Sequence, residues 1–141
     1  MRGFYQQAAR AHGKGDVLYL VAELNGFPVG QIIVHWSGKP SQPHMPDLQS
    51  LRVHPVMRGQ GLGSQLLAAA ELCVAAAGHA RLSLSVGVEN PKARKLYERC
   101  EYRVASEVYT DEWEYTTLKG RVVRVAEVVV DMVKELEIPT H

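Results

Sequence analysis

The stretch Arg58-Gly59-Gln60-Gly61-Leu62-Gly63-Ser64 holds the residue types and spacing best suited to chemistry. Its three glycines stand at alternate positions, where they let the backbone approach a ligand and take positive φ. An amphipathic helix is expected to follow at once. The first turn of such a helix has N–H groups without intrahelical acceptors and carries the positive end of the helix dipole. With the Arg58 guanidinium added, these groups form a receptor for phosphate. A Walker loop is excluded, because no Lys follows Gly63. A dinucleotide fingerprint fails as well: its registers from Gly59 and from Gly61 put Ser64 and Leu66 where the last glycine belongs. What remains is pyrophosphate held by backbone amides in an R-x-x-G-x-G turn. By itself the turn reads equally well as a plain strand-to-helix connection.

Other reactive side chains offer less. Cys73 and Cys100 lie in no CxxC pair, and His12, His35, His44, His54, His79 and His141 form no HExxH or Cys/His cluster. The expectation is two reduced, half-buried thiols and no metal site. His54 reads as structural, closing the strand that precedes the loop.

The elements that must position the loop follow from period and punctuation. Phe4 to Ala11 suits a short helix broken by Gly13 and Gly15. Two apolar runs, Val17 to Leu24 and Phe27 to Trp36, flank Asn25-Gly26, a hairpin turn in which both residues take φ > 0. Ser37 to Pro46 is a proline-rich loop. Asp47 to His54 reads as a strand with Leu48, Ser50 and Arg52 on one face and Gln49, Leu51 and Val53 on the other. Leu62, Leu66, Leu67, Ala70, Cys73, Val74 and Ala77 then recur at helical spacing, with Gly78 as the terminating residue. Arg81 to Val86 alternates as a strand. Asn90 caps a second helix with Pro91 at its first position, and Ala93, Leu96, Tyr97 and Cys100 form its inward stripe. Lys92, Arg94 and Lys95 make a solvated face. Tyr102 to Tyr109, Trp113 to Leu118 and Val122 to Val133 read as strands. This order predicts an α/β (α+β) fold: a mixed, mostly antiparallel twisted sheet of about six or seven strands with helices on both faces, one domain over residues 1–141.

The helix segment Asn90-Pro91-Lys92-Ala93-Arg94-Lys95-Leu96-Tyr97-Glu98-Arg99 resembles the second signature of the GNAT superfamily of acyl-CoA-dependent N-acyltransferases. The Arg58–Gly63 turn is similar to that family's pyrophosphate loop, and the two segments stand in the family's order and separation. The hairpin and closing strand are also similar, so the resemblance covers nearly the whole chain. It implies that the strand Leu48 to Val53 is bent by a bulge and parts from the strand Leu82 to Val86, so that the pantetheine arm of acetyl-CoA lies there like an added strand. Backbone groups of Leu51 and Val53 then bind pantetheine and polarise the thioester carbonyl. Amides of Arg58, Gly59, Gln60, Gly61, Leu62, Gly63 and Ser64 hold the pyrophosphate, and Asn90 binds the arm. Tyr97 faces the sulfur and returns a proton to the thiolate. Asn90 as a cap alone and Tyr97 as a core residue are the rival readings. Asp47 and Glu23 are candidate bases, with a surface role as the alternative for each.

Two departures from the family stand out. Cys100-Glu101 replaces the glycine at the end of the second helix, which strains or reshapes that turn. Sixteen residues precede Val17, where the family typically has a strand and two helices, so the acceptor side is expected to be open, completed by a second subunit, or lost.

The bulk numbers fit a globular domain. At 141 residues, 46% hydrophobic and 22% charged, the chain can bury roughly 70% of its unfolded surface. A net charge of +1 gives no general attraction to nucleic acid or membrane. No leader or spanning segment is apparent, so the cytoplasm is expected. The reaction implied is direct attack by a primary amine, on a small molecule or peptide, upon acetyl-CoA. The alternatives are a non-catalytic acyl-CoA-binding module and an interaction subunit. The long apolar run Val122 to Val133 suggests a homodimer. The acceptor itself is not legible.

Overall fold

The computed structural model describes residues 2–11 and 15–137, with side chains from Asp16 to Glu137. His12, Gly13 and His141 of the sequence analysis lie outside the described residues. In chain order the elements are β1 (Arg2–Ala11), β2 (Gly15–Leu24), β3 (Phe27–His35), β4 (Asp47–Val53), a 3₁₀ turn (Pro55–Met57), α1 (Leu62–Ala76), β5 (Arg81–Gly87), α2 (Pro91–Arg99), β6 (Arg103–Val104), β7 (Tyr109–Thr116) and β8 (Val122–Glu135). The expected mixed, mostly antiparallel α/β arrangement is present: seven regular strands and the two-residue β6 among the described residues. The chain divides into two compact units, Met1–Leu84 with Val133–His141, and Ser85–Met132.

In the first unit the strand order is β1-β2-β3-β4-β5. β1 corrects the expected helix over Phe4 to Ala11: it pairs antiparallel with β2 from Arg2↔Leu24 to Ala11↔Gly15. Ten residues of ladder on the flank of β2 outweigh a weak local helical preference. The β2–β3 hairpin turns on Asn25 and Gly26, at φ 51° and 85°, as the sequence requires.

α1 lies on this sheet with Leu62, Leu66, Leu67, Ala70 and Val74 buried, over Leu18, Leu20, Ala22, Ile32, Val34 and Leu48. Gly30 admits the helix: a Cβ there would stand 2.9 Å from Leu66 Cδ1 and 3.2 Å from Leu62 Cδ2. α1 ends in a Schellman motif. Gly78, φ 93°, donates to Ala75 O at 2.9 Å, and His79 N–H donates to Val74 O at 3.2 Å. No helix among the described residues is long and apolar enough to cross a membrane.

The second unit contains the end of β5, then α2, β6, β7 and most of β8. β7 and β8 pair antiparallel from Tyr109↔Val129 to Thr116↔Val122. The expected strand Tyr102 to Tyr109 shrinks to Arg103–Val104, with Tyr109 opening β7, because the chain bends at Ser106, whose Oγ accepts the Asp131 N–H and donates to Glu107 O.

Candidate active site

β4 determines which side chains reach which face. Opposite β3 its register runs Val34↔Leu48 and Ile33↔Gln49, then Gln31↔Arg52 and Gly30↔Val53. Two steps along β3 correspond to three along β4, so β4 carries one extra residue, a bulge at Ser50–Leu51. Ser50 takes φ 56°, a left-handed conformation costing roughly 1–3 kcal/mol for a non-glycine residue. This corrects the simple alternation read from the sequence. Leu48 shares the α1 face with Leu51 and Val53, whereas Arg52 joins Gln49 on the face turned away from α1. The parallel ladder to β5 consists of Asp47↔Ser83 and Leu48↔Leu84 and stops where the bulge begins. The bulge expected from the family resemblance is therefore in place.

The chain leaves β4 through a tightly held corner. His54 N–H donates to Val29 O at 2.8 Å, and His54 Nδ1 accepts the Val56 N–H at 3.2 Å, capping the 3₁₀ turn. Gln60 Nε2 donates to Val56 O at 3.3 Å. Gly59 and Gly61 take φ 76° and 78°, and a Cβ on either would meet nothing within 4 Å. Glycine is needed here for backbone conformation, and the side a substituent would occupy is open. Gly61 is the N-cap of α1 and has no side chain to bond the first turn. The first intrahelical bond is Gln65 N–H to Gly61 O at 3.1 Å, so the N–H groups of Leu62, Gly63 and Ser64 precede the ladder. Leu62's side chain is buried in the core, which leaves its amide as the part able to bind a ligand. Gly63 lies within the first helical turn.

Beside this corner runs an open groove of about 610 Å³, lined by residues of β2, β3 and β4 together with His54 and Arg58. Leu51, Val53 and Arg58, three expected donor-binding residues, line it. Val21, Gln31 and Arg52 share the face away from α1, since Val21 pairs with Gln31 and Gln31 with Arg52.

In the second unit, Asn90 Oδ1 accepts the Ala93 N–H at 3.2 Å and caps α2. Ala93, Leu96, Tyr97 and Cys100 are half-buried, as the inward stripe requires, while Lys92 and Lys95 are exposed. Tyr97 packs edge-on against Tyr102, with ring centroids 6.0 Å apart at 62°. Burial pushes its hydroxyl pKa above the ordinary tyrosine value. α2 also ends in a Schellman motif, in which Glu101 N–H donates to Glu98 O at 3.0 Å and Tyr102 N–H to Tyr97 O at 2.9 Å. Glu101 takes φ 74°, so the missing glycine is replaced by a residue in left-handed strain rather than by a new turn.

With the loop, the bulge and the second helix described, comparison with known proteins becomes informative. The acetyltransferase (GNAT) family model matches residues 2–102. The chain belongs to the GNAT acetyltransferase family. Over 85 residues it is 34% identical to an acetyltransferase of Pectobacterium atrosepticum, covering 60% of this chain and 57% of that protein. It is 33% identical, over the same shares, to an acetyltransferase of Yersinia pestis strain Pestoides F. The match thus spans little more than half the length of these curated relatives. Two solved structures share the fold. The ribosomal-protein-S18-alanine N-acetyltransferase of Escherichia coli superposes with a TM-score of 0.68 at 21% identity, over 99% of this chain and 97% of that one. The IAA acetyltransferase of Bacillus cereus ATCC 14579 gives 0.67 at 16% identity, over 95% and 100%.

Some polar groups of this GNAT domain stand apart from what its sequence suggests. Asp47, a candidate base with a surface alternative, is 2% exposed. Its Oδ1 accepts from Lys39 Nζ and from Ser83 Oγ at 2.7 Å, and its Oδ2 accepts from Gln49 Nε2 at 3.0 Å. With both oxygens bonded, Asp47 anchors the Ser37–Pro46 loop to β4 and β5. Glu23 is half-buried on β2, opposite Pro28. In the second unit Asp131 Oδ1 accepts from Tyr109 Oη at 2.7 Å and Ser85 Oγ at 2.9 Å. The Tyr109 pKa is pushed up to about 12, first by burial and then by Asp131. Neither network has a sequence motif, because each is assembled from residues on separate strands. Arg52 went unnoticed for a different reason: the bulge moves it to the other face, and nothing in the residue types around it signals a bulge.

Proposed function

We propose that this chain transfers an acetyl group from acetyl-CoA to a primary amine by direct attack. The observation that carries the reading is the Gly59–Gly61 turn: two left-handed glycines open the uncapped start of α1 beside a bulged strand, in a chain of the GNAT family. The donor fits what is there. Atoms added at the Cα of Gly59 or Gly61 meet no protein, the start of α1 has no side-chain cap, and Arg58 supplies a charge for phosphate. Acetyl-CoA supplies the activated acyl group; the rest is done by the chain.

In this reading Leu51 and Val53 present backbone groups to the pantetheine arm and polarise the thioester carbonyl. Asn90 contributes its side-chain amide nitrogen to the arm, since its oxygen is engaged by Ala93. Tyr97 donates a proton to the departing sulfur. Its raised pKa keeps that proton bound at neutral pH. Glu23, or a water molecule, accepts the proton of the attacking amine. The acceptor is a small molecule or a peptide, the setting is the cytoplasm, and a homodimer is proposed as well. Exposed Trp113, Tyr115, Val122 and Val128 support the homodimer, although Val129, Val130, Met132 and Val133 of the same run are buried.

Calorimetric titration with acetyl-CoA, followed by a thiol-release assay over a panel of amines, tests this reading. Binding at micromolar concentration with turnover of at least one amine supports it. Binding without turnover leaves an acyl-CoA-binding module, and no binding removes the reading.

A further inference from the structure

Resting on the acyltransferase reading, the geometry points to an acceptor that carries an anion, a carboxylate or phosphate, beside its amine, with Arg52 as the group that binds it. The groove offers Gln31, Arg52, His54 and Arg58 as its polar side chains, and no carboxylate stands among its lining residues. Arg58 immediately precedes the glycine turn and is assigned to the donor's phosphates. Arg52 is not needed there, because the bulge sends its side chain to the face away from α1, with Val21 and Gln31.

Neither arginine has an ion-pair partner among the described residues. Val21, Pro28 and Val29 also line the groove, and Arg52 is exposed. Its guanidinium matches a planar carboxylate or a phosphate with two parallel hydrogen bonds. The same positive field disfavours a second cation nearby. It therefore discriminates against polyamines. Glu23, on the same face two residues beyond Val21 and opposite Pro28, is not itself among the lining residues.

The test measures kcat/KM by thiol release for amino acids against their matched amides, O-phosphoethanolamine against ethanolamine, and putrescine. The anionic member of each pair is expected to exceed its neutral partner by about tenfold, the worth of one charge-assisted bond. A larger ratio in the amino-acid pair identifies carboxylate, and in the ethanolamine pair phosphate. Arg52→Gln should bring the ratio near one, mainly by raising KM for the anionic substrate, with circular dichroism and acetyl-CoA affinity preserved. Arg52→Glu should shift preference toward putrescine. Equal turnover of the anionic and neutral partners, or a ratio that survives Arg52→Gln, overturns the inference while the acyltransferase reading stands. Absence of acetyl-CoA binding overturns both.

Discussion

α1 begins on Gly61, which has no side chain with which to cap it, whereas α2 begins on Asn90, whose Oδ1 takes the Ala93 N–H. At their other ends the helices differ again: both close with Schellman motifs, but α1 uses Gly78 at φ 93° and α2 uses Glu101 at φ 74°. Capping by Asn rather than Gly is worth only a few tenths of a kcal/mol, so leaving the start of α1 uncapped costs the fold little. In return, no side-chain cap competes with an outside anion for the Leu62 and Gly63 N–H groups and the helix dipole. α2 engages its Ala93 N–H internally through Asn90 Oδ1, and what is proposed for it is the side chains of Asn90 and Tyr97. Under the proposed function the difference becomes a division of labour, with backbone binding at α1 and side-chain chemistry at α2.

That division can be broken by substitution. The largest effect is expected at Tyr97: Tyr97→Phe should lower kcat by roughly 100-fold, the low end for a general acid, while acetyl-CoA affinity changes little. If kcat stays close to wild type, Tyr97 is a packing residue and α2 has no chemical role. Asn90→Ala should cost about 1 kcal/mol of stability by thermal melting, as for other helix caps. Asn90→Asp sharpens the comparison, because it keeps the capping oxygen and loses the amide donor. Stability should be retained and acetyl-CoA affinity reduced; unchanged affinity would make Asn90 a cap alone. The smallest effect concerns Glu101. Glu101→Gly relieves a left-handed conformation and should stabilise by up to about 1 kcal/mol, raising Tm by about 3 °C. A lower Tm would show that the Glu101 side chain contributes more than its backbone costs.

Much of this was readable because local rules and tertiary structure agree. Asn25-Gly26 demands the hairpin it forms, the Leu62–Val74 spacing gives the buried stripe of α1, and Gly78 ends that helix. The glycine loop and the Asn90 cap were legible from residue type, but they were legible as a pair only through their resemblance to the family's two signatures. β1 was misread as helix because its strand state comes from ten residues of pairing with β2, which no local pattern encodes. The bulge at Ser50 was invisible to alternation, since Ser at φ 56° is uncommon and no glycine marks it. That one extra residue hid Arg52. Asp47 reads as an exposed acid after a polar loop; its burial depends on Lys39 and Ser83, eight and thirty-six residues away.

The central claim, that the start of α1 receives the donor's pyrophosphate, is tested most directly by a matched pair of variants at the two ends of that helix. Gly61 and Gly78 both have positive φ and open space where a Cβ would go, so Gly61→Val and Gly78→Val impose similar strain, about 1–2 kcal/mol each. Acetyl-CoA affinity is then measured by calorimetry on both, with circular dichroism confirming the fold. The account predicts a loss of about tenfold or more, roughly 1.4 kcal/mol, for Gly61→Val and near wild-type affinity for Gly78→Val. Equal affinities for the two variants would contradict it.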